Sequence, residues 1–166
     1  NWETSDERNT QYAAEKRTVD EILGHLASGV PTLWTSLRSA ALYGPGDFHK
    51  ETQPFLWDIA NKARVGNGVT LEGDGNHLRN YLHISDFCQI VDRVAQYRIP
   101  GLWNCPGESI TYKEFAEIAL LNFSNPTPIN FSEPGAAPND LVPHFDTSLY
   151  SKIDFYPSRG FADLFD

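Results

Sequence analysis

Apolar residues in this chain switch repeatedly between helical spacing and short strand-like runs, and glycine or proline stands at most of the switches. Such alternation predicts an α/β layered fold with some parallel strand pairing. From about Asp6 to Ser28, Val19, Ile22, Leu23 and Leu26 mark one helical face, and Gly29 and Pro31 stop the helix. A strand is expected over about Thr32 to Arg38, running into the Gly44-Pro45-Gly46 turn, and a second helix from about Gln53 to Arg64. Next come a short strand near Val69 to Leu71, the turn Gly73-Asp74-Gly75 and a strand over Asn80 to Ile84. Ser85 is the expected N-cap of a helix over Asp86 to Gln96, because its hydroxyl can accept an orphan backbone N–H. Another strand follows over Gly101 to Cys105. Thr111 and Glu114 have capping-box spacing ahead of Phe115, Ile118, Ala119 and Phe123. Residues 124–143 read as strand and loop, ahead of a short helix near Thr147 to Ile153 and a final turn near Phe161.

With 166 residues and 40% apolar content, one compact core is expected. The net charge of −9 argues against nucleic acid or anionic lipid as partners, since both require basic surfaces. No apolar run approaches the roughly 20 residues that span a bilayer, and the polar N-terminus NWETSDERN is unlike a signal peptide. Cys88 and Cys105 have neither disulfide-framework nor zinc spacing, so a reducing, cytoplasmic setting is expected and no metal. There is no methionine, and residue 1 is not expected to be a translation start.

The residues that could carry chemistry begin with Tyr12 and Lys16, four apart and on one helical face. That line continues into Val19, Leu23 and Leu26, which suggests a half-buried lysine. An ammonium beside a phenol favours the phenolate and suits it to proton transfer. Taken alone, the pair reads as surface Tyr–Lys packing.

Further segments follow in order: YAAEK at Tyr12 to Lys16, LRSAALYGPGD at Leu37 to Asp47 and LEGDGNHLRNYLHISD at Leu71 to Asp86. They continue with GLWNCPGESITYKEFAEIA at Gly101 to Ala119 and FDTSLYSKIDFYPS at Phe145 to Ser158. In this combination the chain resembles the extended short-chain dehydrogenase/reductase family, specifically its nucleotide-sugar epimerases, dehydratases and reductases. The resemblance implies the C-terminal part of a Rossmann-type fold with its small substrate-binding domain. Residues 1–48 would be the last part of the Rossmann-type domain, and residues 49–166 mainly the substrate-binding region.

By the same resemblance Tyr12 is the acid/base, and Lys16 supports it and reaches the nicotinamide ribose. Ser39 would stand at the cofactor, with Ala41, Leu71 and Arg79 at the substrate, Arg79 on its diphosphate through bidentate hydrogen bonds. The cofactor implied is NAD or NADP. Ser5 stands too close to Tyr12 to be the family's hydroxyl partner, which is expected upstream of residue 1. The Gly-rich pyrophosphate turn is expected there too, because Gly44-x-Gly46 and Gly73-x-Gly75 both lack the third glycine and the strand-turn-helix setting. The cofactor-binding half is thus expected to be absent and the isolated chain inactive, with a homodimer or pairing with the missing half as partner. A non-catalytic nucleotide-sugar-binding or dimerisation module is the alternative.

Two departures from the family pattern stand out. Ala41 occupies a position where many members have asparagine, and Pro138-Asn139-Asp140 stands where a second diphosphate-binding arginine is expected. His83 is expected to pack rather than to catalyse, and His25, His49, His77 and His144 lack metal-ligand spacing.

Overall fold

A computed structural model of the chain describes residues 7–29, 34–45, 48–132 and 145–164. Helix α1 (Glu7–Ser28) is followed by β1 (Thr35–Ser39) and β2 (Ala41–Tyr43), then by α2 (Phe48–Thr52) and α3 (Pro54–Arg64). Strands β3 (Val69–Leu71) and β4 (Leu78–His83) lead into α4 (Ile84–Tyr97), β5 (Gly101–Cys105) and β6 (Glu108–Thr111). The remainder is α5 (Tyr112–Asn122), β7 (Ile129–Phe131), α6 (Ser148–Lys152) and a 3-10 turn at Phe161–Leu164.

The sheets are small. β1 pairs in parallel with β5, β3 in parallel with β7, and β4 lies between parallel β2 and antiparallel β6. The expected loop after the first strand is a change of partner. At Ala40, whose N–H donates to the Cys105 carbonyl at 3.0 Å, the chain leaves β5 and continues as β2 beside β4.

Local chemistry explains most element ends. Glu114 N–H donates to Thr111 Oγ1 at 3.1 Å and Thr111 N–H to Glu114 Oε2 at 2.8 Å, completing the expected capping box of α5. Pro54 opens α3, where its missing N–H is not needed. The expected N-cap Ser85 is corrected. Helix α4 starts at Ile84, two residues early, and His83 is the cap, its Nδ1 accepting the Ser85 N–H at 3.2 Å. A buried imidazole edge-on to Tyr43 at 5.1 Å can fill that role, so His83 is a packing and capping residue.

Two apolar clusters hold these layers together. One gathers α3, α5, β3 and the inner residues of β2, β4 and β6 around Phe115 and Phe161, both fully buried. The other packs Ile90 and Val94 of α4 against Cys105, Leu149 and Ile153. Burial pushes the Cys105 thiol up to about 12, so it behaves as an apolar filler. The tail crosses both clusters and is tied down by carboxylates. Asp86 Oδ2 accepts the Ser158 and Arg159 N–H groups, each at 2.9 Å, and Glu108 Oε2 accepts the Phe161 N–H at 3.0 Å. Among the described residues no helix is long and apolar enough to cross a membrane.

The apolar line of α1 departs from expectation. Val19, Ile22, Leu23 and Leu26 are 51%, 53%, 43% and 62% exposed, because the helix meets the rest of the chain along Asp20, Gly24 and Ala27 instead. Gly24 lies against the Trp34 ring, where an added Cβ would sit 3.5 Å from Cζ2.

Among the described glycines, Gly107 has the least room for a side chain. A Cβ there would run into the Tyr81 carbonyl and lie 2.8 Å from the Leu82 Cα. Gly107→Ala is expected to cost about 3 kcal/mol. At Gly68 the nearest neighbour would be at an ordinary 3.6 Å, and Gly68→Ala should stay within about 1 kcal/mol. Urea denaturation of both variants checks this, and equal midpoints would contradict it.

Candidate functional site

A concave surface lies between α1 and β1, a cleft of about 310 Å³. Tyr12, Lys16 and Asp20 line it from the helix, and Ser36, Arg38 and Ser39 from the strand. Three residues spaced by four put their side chains in one row along α1. Lys16 Nζ lies 5.3 Å from the Tyr12 ring centroid, and both side chains are exposed, Tyr12 at 57%. The half-buried lysine expected from the apolar line is not found, since that line itself faces outward.

Asp20 anchors the row. Ser36 Oγ donates to its Oδ1 at 2.6 Å, while Arg38 Nε and Nη2 donate to Oδ2 at 2.9 and 2.6 Å. Burial works to raise the Asp20 carboxyl. Hydrogen bonds from Ser36 and Arg38, with the charges of Arg38 and Lys16, outweigh it and hold the group below the ordinary carboxylate range. The ion pair is largely sheltered, with side-chain exposures of 24% for Arg38 and 12% for Asp20. Sequence reasoning missed Asp20, although its spacing from Lys16 repeats that between Tyr12 and Lys16 and could have signalled it.

The structure therefore brings Tyr12, Lys16 and Ser39 together. The other three expected site residues lie elsewhere. Ala41 is half-buried in β2 opposite Tyr81, and the side chain of Leu71 is buried at the end of β3, its carbonyl accepting the Ser132 N–H at 2.9 Å. Arg79 is exposed on β4, opposite Ile110 of β6, and does not line the cleft. Ser5, Gly46, His144 and Pro138-Asn139-Asp140 lie outside the described residues.

A nicotinamide dinucleotide would need two things here. Ribose hydroxyls need donors on an open surface, and Tyr12, Lys16 and Ser39 supply them in the cleft. Its pyrophosphate needs a bare backbone cradle at a helix N-terminus. The turn at Gly73 and Gly75 does not fit. A Cβ on Gly75 would lie 2.9 Å from Leu71 Cδ1, Asp74 is occupied by Asn76 at 2.9 Å, and a strand follows. Gly44 is filled likewise by Ile84. Among the described residues no group of His, Cys, Asp and Glu could hold a metal ion.

The profile of the NAD dependent epimerase/dehydratase family matches residues 2–105. A dTDP-glucose 4,6-dehydratase of Xanthomonas campestris pv. campestris is 31% identical over 104 residues, covering 61% of this chain and 28% of that protein. A dTDP-4-dehydro-6-deoxy-D-allose reductase of a Streptomyces species is 28% identical over 133 residues, 77% of this chain and 40% of that protein. Among solved structures, UDP-glucose 4-epimerase from Thermotoga maritima with UDP-glucose superposes on 93% of this chain and 50% of its own, with TM-score 0.73 and 17% identity. The chain thus spans less than half the length of these curated relatives and about half that of the solved epimerase.

The depressed Asp20 carboxyl has a signed consequence for stability. Its contribution is fully present above the unfolded-state carboxylate range and is lost as pH falls through its lower folded value. Asp20→Asn is expected to cost about 1 to 3 kcal/mol at pH 7, and the gap to the parent chain should close towards pH 3. Denaturant melts at the two pH values check this, and a gap independent of pH would contradict it.

Proposed function

The chain belongs to the NAD dependent epimerase/dehydratase family, and from that premise we propose that it supplies the proton-transfer and substrate side of an enzyme acting on nucleotide sugars. The observation that carries this reading is the cleft in which α1 and β1 present Tyr12, Lys16 and Ser39 to one space. Tyr12 exchanges a proton between its phenol oxygen and a sugar hydroxyl or keto oxygen. Lys16, with its ammonium beside the phenol ring, offers a donor to a ribose hydroxyl. Asp20 holds the helix so that both side chains face β1.

NAD or NADP, when bound, would accept and return hydride, with Tyr12, Lys16 and Ser39 as its contacts on this chain. A dinucleotide-binding segment, encoded with this chain or on another one, would complete the site. In this arrangement residues 1–48 close the Rossmann-type layer and residues 49–166 mainly serve the substrate. Leu71, through its backbone at the end of β3, and Ala41 flank the nucleotide sugar, and Arg79 grips its diphosphate. Relatives that are dehydratases, reductases and epimerases leave all three outcomes within the proposal. The open apolar face of α1 supports pairing with a second copy or with the completing segment. The same face, with no described pyrophosphate cradle, supports a second reading as a non-catalytic nucleotide-sugar-binding or dimerisation module.

Tyr12→Phe separates the two. In the catalytically complete protein, supplied with NAD and a dTDP- or UDP-hexose, it is expected to lower kcat by about 10²- to 10⁴-fold while leaving nucleotide-sugar affinity unchanged. Unchanged turnover would remove Tyr12 from the chemistry.

A further inference from the structure

Away from the cleft, a second group of ionisable side chains meets where the chain enters β4 from the Gly73–Gly75 turn. His77 lies nearly flat on the Tyr112 ring, with centroids 5.5 Å apart and planes at 23°. Phe55 of α3 packs against the same ring at 4.5 Å. This aromatic shelf fixes the imidazole beside β4. Two residues on, Arg79 is exposed, and among the described residues no carboxylate meets its guanidinium, in a chain whose net charge is −9. Arg79 and Tyr81 share one side of β4 by strand alternation, and the field of Arg79 reaches both His77 and Tyr81. His77 on the Tyr112 ring and the exposed Arg79 two residues on thus stand together at the start of β4.

We propose that His77 is a second, proton-dependent contact for the diphosphate of a nucleotide sugar, acting beside Arg79. This rests on the proposal above that Arg79 meets that diphosphate. The neighbours of His77 define its response. Tyr112 on α5 covers one face and Phe55 contributes only an apolar ring. Lys113, next on α5, donates its backbone N–H to the Gly75 carbonyl at 3.0 Å. The carboxylate of Asp74 is turned onto Asn76. Tyr81 is buried, and burial with Tyr112 pushes its phenol up, so it stays neutral. What remains is Arg79.

Burial first, and the charge of Arg79 second, hold the imidazole below its ordinary range. Without ligand His77 is therefore neutral at pH 7. A diphosphate on Arg79 cancels the second cause and adds an attraction of its own, so the imidazole becomes more basic in the complex. Affinity is flat well above the His77 value of the complex, rises as pH falls through it, and levels off below the value of the free chain. In that window binding is accompanied by net proton uptake.

The test is calorimetric titration of the chain with UDP-glucose, whose diester phosphates do not change charge between pH 5.5 and pH 8. Binding is expected to tighten by about tenfold from pH 8 to pH 5.5, and buffers of different ionisation enthalpy should report net proton uptake within that interval. The His77 imidazole resonance, identified by its absence in His77→Gln, should titrate at higher pH with ligand than without. His77→Gln should bind at both pH values with the parent's pH 8 affinity. Parent affinity that does not change with pH, or a pH response retained in His77→Gln, would overturn the proposal about His77 while leaving Arg79 intact. Absence of binding at either pH would overturn the Arg79 reading and this one with it.

Discussion

The contact of Asp20 with Ser36 and Arg38 is the interaction on which the candidate site depends. Helix α1 turns its apolar line outward and meets the rest of the chain along a narrow edge, so hydrophobic burial contributes little at this junction. Three charge-assisted hydrogen bonds, two of them from one guanidinium, fix where the helix lies along β1. A sheltered carboxylate is costly unless its lone pairs are taken, and here the strand takes them. Because Lys16 and Tyr12 stand one and two turns further along the same face, fixing Asp20 also sets their distance from Ser39.

The β4–β6 pair is held by a different device. Strand β4 carries Arg79, and its partner β6 is fixed in register by Asn80. The Asn80 amide donates to the Gly107 carbonyl at 3.0 Å and to Ser109 Oγ at 2.9 Å, and its Oδ1 accepts the Gly107 N–H at 2.8 Å. The bare Cα of Gly107 lets this turn press against the backbone of β4. The tail then seals the back of the layer, with Tyr43 donating to the Arg159 carbonyl and Tyr150 to the Pro106 carbonyl. The α1–β1 cleft and the exposed Arg79 of β4 are thus carried by sheets whose side chains fill two apolar clusters.

Much of this was legible in the chain itself. The Thr111 and Glu114 pair announced α5, because a capping box is a local hydrogen-bond pattern that owes nothing to tertiary contacts. Strands β3 and β5 and the helix ending at Arg64 were equally plain from apolar runs bounded by glycine. The missed features depend on partners distant in sequence. Strand β2 exists because β4 lies alongside it, and β6 because β4 pairs with its other edge. His83 displaces Ser85 as a cap only through its burial against Tyr43, which spacing does not encode. The outward turn of the α1 apolar line is likewise invisible locally, since periodicity marks a face without saying what covers it. Of the expected site residues, Tyr12, Lys16 and Ser39 meet, and Arg79 stands apart on its own strand. Asp20 and His77 emerged only once β1 and α5 were in place.

The central claim is that one chain holds both a nucleotide-sugar site and the phenol that works on it. A heteronuclear NMR titration with dTDP-glucose tests it most directly, because each backbone amide reports its own surroundings. The account predicts shifts concentrated at Leu71, His77 and Arg79 for the nucleotide end and at Ser39 to Ala41 for the sugar end. Shifts confined to the turn at Pro106–Glu108 and the tail near Tyr156–Gly160, or absent altogether, would contradict it.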